Sequence, residues 1–268
     1  MPYGLSLEDV RRINQPSPLI TPWGEISSLT EMPDYAMYRI DIAAHSAQPL
    51  HFCVTDLHAF VETGELIVRS INTDGSIEIG KLARGGVLSL PRFFVHSFSS
   101  TTPAVLYLFG PRTPNGIEQH LVETQSAARL AVSGINPHDL ESTGLTTTDV
   151  RNKYWGRIET ISTGDIAAKR LFIQKGGSGS LEFHVQKKES YYIHSGLIRL
   201  GLRIGRAENH SIVLGPGQGY DIRPGVMHLR EGLEDSVILE VSTRDSDSDS
   251  YLVEDGQTYR HIDSAIQI

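Results

Sequence analysis

The chain repeats itself. It holds two tryptophans, Trp23 and Trp155, each followed by glycine, and they lie 132 residues apart. The same spacing links Gly64 to Gly196, Gly85 to Gly217 and His96 to His228, in order and without a gap. Five matched pairs at one offset mark an internal duplication, so the two halves should adopt the same fold. At 268 residues the chain is long enough for two domains that each bury a core of their own.

Each half reads as a series of short strands. After Trp-Gly come segments with period-two alternation or β-branched and aromatic enrichment, punctuated by Gly and Pro. In the first half they fall at 36–42, 51–54, 65–71, 76–79, 87–90 and 105–109. In the second they fall at 170–174, 181–186, 190–194, 198–204, 211–214, 220–222 and 237–242. Many short strands at even spacing predict an all-β sandwich or barrel, in which closing the sheet removes exposed edges. Between the halves, Ile117, Leu121, Val122, Ala128 and Leu130 recur at helical spacing, followed by a stretch rich in Gly, Ser, Thr and Asn. The expected organisation is an N-terminal barrel over 1–110, a helix-bearing connection over 111–152 and a C-terminal barrel over 153–268. Residues 244–250 alternate Asp and Ser, which reads as a solvated loop, with an ion-binding loop as the alternative.

Charge narrows the partners. With 32 acidic and 24 basic residues the net charge is −8, which argues against nucleic acid or an anionic membrane surface as the main partner. A small anionic ligand is not excluded, because it needs only one basic pocket. Cys53 is the single cysteine, so neither an intramolecular disulfide nor a Cys-rich zinc site can form. The longest apolar stretch, 104–109, is too short to span a bilayer, and Met1 to Leu19 lacks the apolar centre of a signal peptide. A cytoplasmic location is expected.

Candidate chemistry concentrates in the second half. His184 and Gln186 are two apart on an expected strand, so both side chains can point into a barrel. Glu189 follows on the turn into the next strand, and His228 arrives after the tight turn at Pro224-Gly225. Two imidazoles and a carboxylate suit one divalent metal ion (Zn, Mn, Fe or Ni) with positions left open for substrate. At the same 132-residue offset His184 maps to Phe52, Gln186 to Val54 and Glu189 to Leu57; only His228 keeps its counterpart, His96. The first barrel is therefore expected to be metal-free, with apolar side chains in the ligand places. His51 and His58 could restore a site there only if the register slips.

The run from Ser180 to Gly196 and the later Pro224-Gly225 with His228 resemble the two cupin motifs: a His, a ligand two residues on, a Glu three further and a closing Gly, then Pro-Gly and a His. The resemblance implies two tandem cupin jelly-roll barrels. Most cupins carry His where this chain has Gln186, a neutral and weaker donor. The implied ligands are thus His184, Glu189 and His228, with Gln186 as an optional fourth. Residues 153–260 further resemble the mannose-6-phosphate isomerase-type cupins. The match runs through Trp155-Gly156, Ser180-Leu181-Glu182-Phe183-His184, Lys188-Glu189, Glu240-Val241-Ser242-Thr243, Leu252-Val253-Glu254-Asp255 and Tyr259-Arg260. It departs from that pattern at Glu182, at Gln186 and in the tail.

What this second resemblance implies is isomerisation or epimerisation of a sugar or sugar phosphate. A proton moves between adjacent carbons while a metal polarises the carbonyl. Glu240 interrupts an otherwise apolar strand, which makes it the preferred acid–base residue, with Glu182 second and Lys187, Lys188 or Tyr192 as the neighbour of either. Tyr192, Arg230 and Arg260 are the candidates for contacting substrate or phosphate. For each charged residue the alternative is a solvated or ion-paired side chain. The expected partner is a small polyhydroxylated molecule, and a homodimer is an alternative to a monomer. Two other functions stay open: an Fe-dependent dioxygenase and a non-catalytic sugar-binding bicupin. An apolar, aromatic-lined pocket would favour the oxygenase, and a polar one with convergent Arg, Lys and Glu would favour sugar chemistry.

Overall fold

The computed structural model describes residues 13–30, 32–72, 74–114, 119–122, 146–147, 149–207 and 209–254. Among these residues the regular elements are strands, apart from one 3-10 turn at Asp247–Asp249. The chain forms two compact units. One spans residues 17–148; the other takes residue 149 onward together with the segment before Ser17, whose Asn14 donates its backbone N–H to the Gly219 carbonyl at 2.7 Å.

Each unit is two antiparallel sheets enclosing one apolar core, and the strand order is the same in both. In the first unit one sheet runs Gly24–Ser28, Tyr35–Ile42, Ala104–Pro111, Leu57–Thr63, Gly86–Leu90. Its counterpart in the second runs Gly156–Ser162, Ile166–Ile173, Ser236–Thr243, Glu189–Ser195, Gly219–Ile222. The other sheet runs His51–Cys53, Val95–Ser100, Glu65–Ile71, Ile77–Ala83 in the first unit and Leu181–Phe183, Val226–Gly232, Ile198–Ile204, His210–Leu214 in the second. This is a jelly roll made twice. Alternation sends Leu171 and Ile173, Tyr191 and Ile193, Leu200 and Leu202 inward from their strands, and all are fully or almost fully buried. Each such side chain contributes about 2 kcal/mol through removal from water.

The Trp-Gly pairs explain themselves physically. Trp23 and Trp155 each pack into the core of their unit. The glycine that follows has φ of +149° in both places. A Cβ on Gly24 would sit almost on the carbonyl oxygen of Asp41, and one on Gly156 almost on that of Phe172. Only glycine lets the two strands approach so closely. The carbonyl of Trp23 accepts from Ala43 N–H at 3.0 Å, and that of Trp155 accepts from Gln174 N–H at 2.9 Å. Two halves with the same strand order and the same strained contact establish the duplicated all-β architecture.

The connection differs from expectation where it can be seen. Gln119–Leu121, placed in a helix by its apolar spacing, is a strand that pairs with His51–Cys53, so its backbone groups are satisfied by a neighbouring strand's edge. The rest of the expected helix lies outside the described residues. No helix among the described residues is long and apolar enough to cross a membrane.

Candidate metal centre

Strand pairing brings the polar residues of the second barrel together. Glu182 lies directly opposite His228 across two antiparallel strands, so both face the interior. Ligand atoms of Glu182, His184 and His228 lie within 4.8 Å of one another. Both imidazoles are buried, His228 entirely. The Nδ1 of His184 meets the Asp249 carbonyl at 2.9 Å, and that of His228 meets the Val226 carbonyl at 3.1 Å. A carbonyl only accepts, so each Nδ1 carries a proton, and Nε2 is the nitrogen each ring leaves for a metal to take.

Those two Nε2 atoms are buried and satisfied by no hydrogen bond. Glu189 stands between them, Oε1 2.7 Å from His228 Nε2 and Oε2 3.7 Å from His184 Nε2. The shorter approach is an ion-pair distance with poor hydrogen-bond alignment. Burial alone would depress the His228 pKa, but the Glu189 carboxylate outweighs it and raises the value. Glu189 itself is held well below the usual carboxylate range, burial being overcome by Lys187 and His228. Two orphaned imidazole nitrogens converging on carboxylates form a donor set that fits one divalent metal ion.

Gln186 does not join this set. The strand expected to run to 186 stops at Phe183, so the two-residue alternation no longer applies beyond His184. The chain instead loops, and Asp249 takes the loop's backbone: its carboxylate accepts from the N–H groups of Val185 at 2.9 Å, Gln186 at 3.0 Å and Lys187 at 2.8 Å. Gln186 is left exposed. The side chain that turns inward is Lys187, whose Nζ lies 2.7 Å from Glu189 Oε2, 3.0 Å from Asp245 Oδ1 and 3.3 Å from Glu240 Oε1. Lys188, the lysine singled out from sequence, is not brought to the cavity; its backbone N–H bonds Thr243 Oγ1 at 3.1 Å.

Around these groups lies a cavity of about 400 Å3, walled by Glu182, His184, Lys187, Arg230, Glu240 and Trp155 among others. Glu240 is 3% exposed and pairs directly across the sheet with Lys169, whose Nζ is 3.3 Å from Glu240 Oε1 and 2.7 Å from Asp245 Oδ2. Burial pushes the Glu240 pKa up, but Lys169 and Lys187 more than reverse it, so the carboxylate is ionised. Arg230 stacks over Trp155, donates to the Tyr191 hydroxyl at 2.9 Å and approaches Glu182 at 3.5 Å, while its Nε is buried without a partner. Tyr192 is buried on the other face of its strand from Tyr191 and is not brought to the cavity. Tyr191 is the tyrosine of the site, donating to Glu189 Oε1 at 2.9 Å. Arg260 lies outside the described residues.

Sequence reading named Lys187 only as one possible neighbour of the acid–base residues, and it missed Lys169, Tyr191, Asp245 and Asp249. Alternation with the inward Leu171 and Ile173 places Lys169 inside, a signal that was available. The two aspartates come from the Asp-Ser run, which stays largely exposed as a loop, as expected, while these two side chains brace the site.

The first barrel carries a different interior. His51, not Phe52, lies opposite His96, and Cys53 packs in the core. Leu57 lies four positions after Cys53, whereas Glu189 lies five after His184, so the offset slips by one at this loop. Leu57 fills the place of Glu189 as expected, but Phe52 and Val54 are only half-buried, and Phe52 stacks on His120. His96 and His51 lie 4.5 Å apart between ring centroids. The only ligand-forming cluster of three or more among the described residues is that of the second barrel.

Residues 33–138 match the family model described as cupin. The chain is similar in fold to oxalate decarboxylase from Bacillus subtilis at pH 4.6, with 16% identity and a TM-score of 0.65 over 87% of this chain and 76% of that one. The formate complex of the Lactobacillus farciminis enzyme gives 16% identity and a TM-score of 0.66, covering 90% and 88%. The fold is a bicupin. A third match, at 14% identity and a TM-score of 0.65 over 87% and 77%, is a Bacillus subtilis oxalate decarboxylase studied for its Mn(II) centres. No curated protein sequence matches this bicupin significantly. At such identities the shared property is the fold.

Proposed function

We propose that the second barrel is the active site of a metal-dependent enzyme that isomerises or epimerises a small, polar, hydroxylated or anionic carbonyl compound. The observation that carries this reading is the wall of the cavity. Beside the metal donors it presents Lys187, Lys169, Arg230, Glu182 and Glu240, a lining suited to oxygen-rich substrates and poorly suited to the apolar substrates of a ring-cleaving oxygenase.

His184, His228 and Glu189 are the residues that would hold the metal, with Glu182 close enough to join them. A divalent ion there supplies Lewis-acid polarisation of a substrate oxygen. Glu182 then fits the proton shuttle better than Glu240. Glu240 sits between two lysines that hold its charge in place, whereas Glu182 meets a single cation, Arg230, at 3.5 Å among the described residues. In this reading Glu182 removes the proton from one carbon and returns it to the next. The unpartnered Nε of Arg230 donates to a substrate oxygen, and Trp155 holds the guanidinium plane.

A second reading, decarboxylation of a small dicarboxylate, is favoured by the likeness to oxalate decarboxylases. One experiment separates the two. Metal-loaded protein is incubated in deuterated water with aldoses, ketoses and their phosphates, and in parallel with small dicarboxylates under CO2 detection. Carbon-bound deuterium that disappears in Glu182→Gln supports the isomerase; CO2 release without exchange supports the decarboxylase. Neither signal would leave a binding protein.

A further inference from the structure

Asp245 follows the end of strand Ser236–Thr243 and belongs to no strand itself. Its two carboxylate oxygens divide between two ammonium groups, Oδ2 at 2.7 Å from Lys169 and Oδ1 at 3.0 Å from Lys187. The lysine side chains are 10% and 5% exposed, while that of Asp245 keeps 30% of its surface. Both ammoniums also reach Glu240 Oε1, at the longer distance of 3.3 Å each. A carboxylate bridging two buried cations through one oxygen apiece is the arrangement of a bound carboxylate or phosphate.

Charge bookkeeping points the same way. Glu240 and Glu189 are fixed on strands facing the interior, and Glu189 is a metal donor. Once it serves the metal, Lys169 and Lys187 face one strand-borne carboxylate, Glu240, and one positive charge awaits an anion. Asp245 supplies it from the least constrained part of the site, at the rim of the cavity that Lys169 and Lys187 also line. A buried, uncompensated ammonium is costly, so the position must hold an anion at all times. A ligand anion does as well as Asp245.

We propose that Lys169 and Lys187 form an anion subsite for the carboxylate or phosphate of the substrate, and that Asp245 occupies it as an internal placeholder until the ligand displaces it. The inference rests on reading the cavity as a substrate site, and it names the substrate class as anionic. A placeholder that fills the fork nine-tenths of the time weakens the apparent affinity of a competing anion about tenfold.

The test is calorimetric titration of inorganic phosphate and, separately, malonate into the metal-loaded full chain. Asp245→Asn keeps the shape and loses the charge, and Asp245→Ser guards against an amide that clashes. The expected result is at least tenfold tighter binding of one or both anions by either variant, lost again in Asp245→Asn/Lys169→Met. Gain with phosphate alone assigns a phosphorylated ligand; gain with malonate assigns a carboxylate. Affinities equal to the unaltered chain in both variants, or a gain that survives the lysine substitution, overturn the proposal. No turnover enters the assay, so failure of the isomerase reading is measured separately.

Discussion

His96 makes the first barrel acid-sensitive. It is 2% exposed, ringed by Phe94 and Phe98, with its Nδ1 on the Phe94 carbonyl at 2.8 Å. Burial, and then the neighbouring His51, drive its pKa down to about 3, against an ordinary histidine value of 6.5. The folded state therefore refuses a proton that the unfolded chain accepts. Above pH 6.5 both states are neutral and His96 costs nothing. Below it stability falls by about 1.4 kcal/mol per pH unit, or about 3 kcal/mol by pH 4.5, and the loss ends near pH 3. The assay is urea unfolding in a Trp155→Phe background, where Trp23 is the sole tryptophan and reports the first barrel. His96→Leu should flatten the slope of stability against pH between 6.5 and 4. Parallel slopes in the two proteins would refute the argument, because the titration would then belong to other groups.

Two further outcomes follow from backbone geometry. Gly156→Ala should destabilise the second barrel by about 3 kcal/mol or more, since its Cβ meets the Phe172 carbonyl at a positive φ; thermal unfolding followed at Trp155 checks this. Asp249→Ala frees the loop between His184 and Glu189 and should weaken Mn2+ binding about 10- to 100-fold by titration calorimetry, whereas Gln186→Ala should leave it within about twofold.

The duplication was the legible part of the sequence. The paired glycines all sit at positive φ, at a strand crossing or a tight turn, and each tryptophan fills a core, so the two halves keep these positions in common where other side chains differ. That His184, Glu189 and His228 come together was also legible, since a strand end, the turn after it and the Pro-Gly turn carry them to one place. Gln186 went astray because period-two reasoning presumes an unbroken strand and the strand ends at Phe183, whereas Tyr192 lies within an unbroken strand on the face opposite Tyr191. The role of Asp245 and Asp249 depends on where a chain segment returns after strand Ser236–Thr243, a tertiary fact that local pattern does not encode. The one-residue slip that brings His51 opposite His96 is of the same kind, since it depends on loop length and not on residue type.

The central claim is a single divalent metal centre confined to the second barrel. Elemental analysis of the purified full chain and of His184→Ala tests it directly, with the chains metal-loaded and then desalted. The account predicts about one divalent ion per chain in the unaltered protein and close to none in the variant. Two ions per chain, or one that persists in His184→Ala, would contradict it.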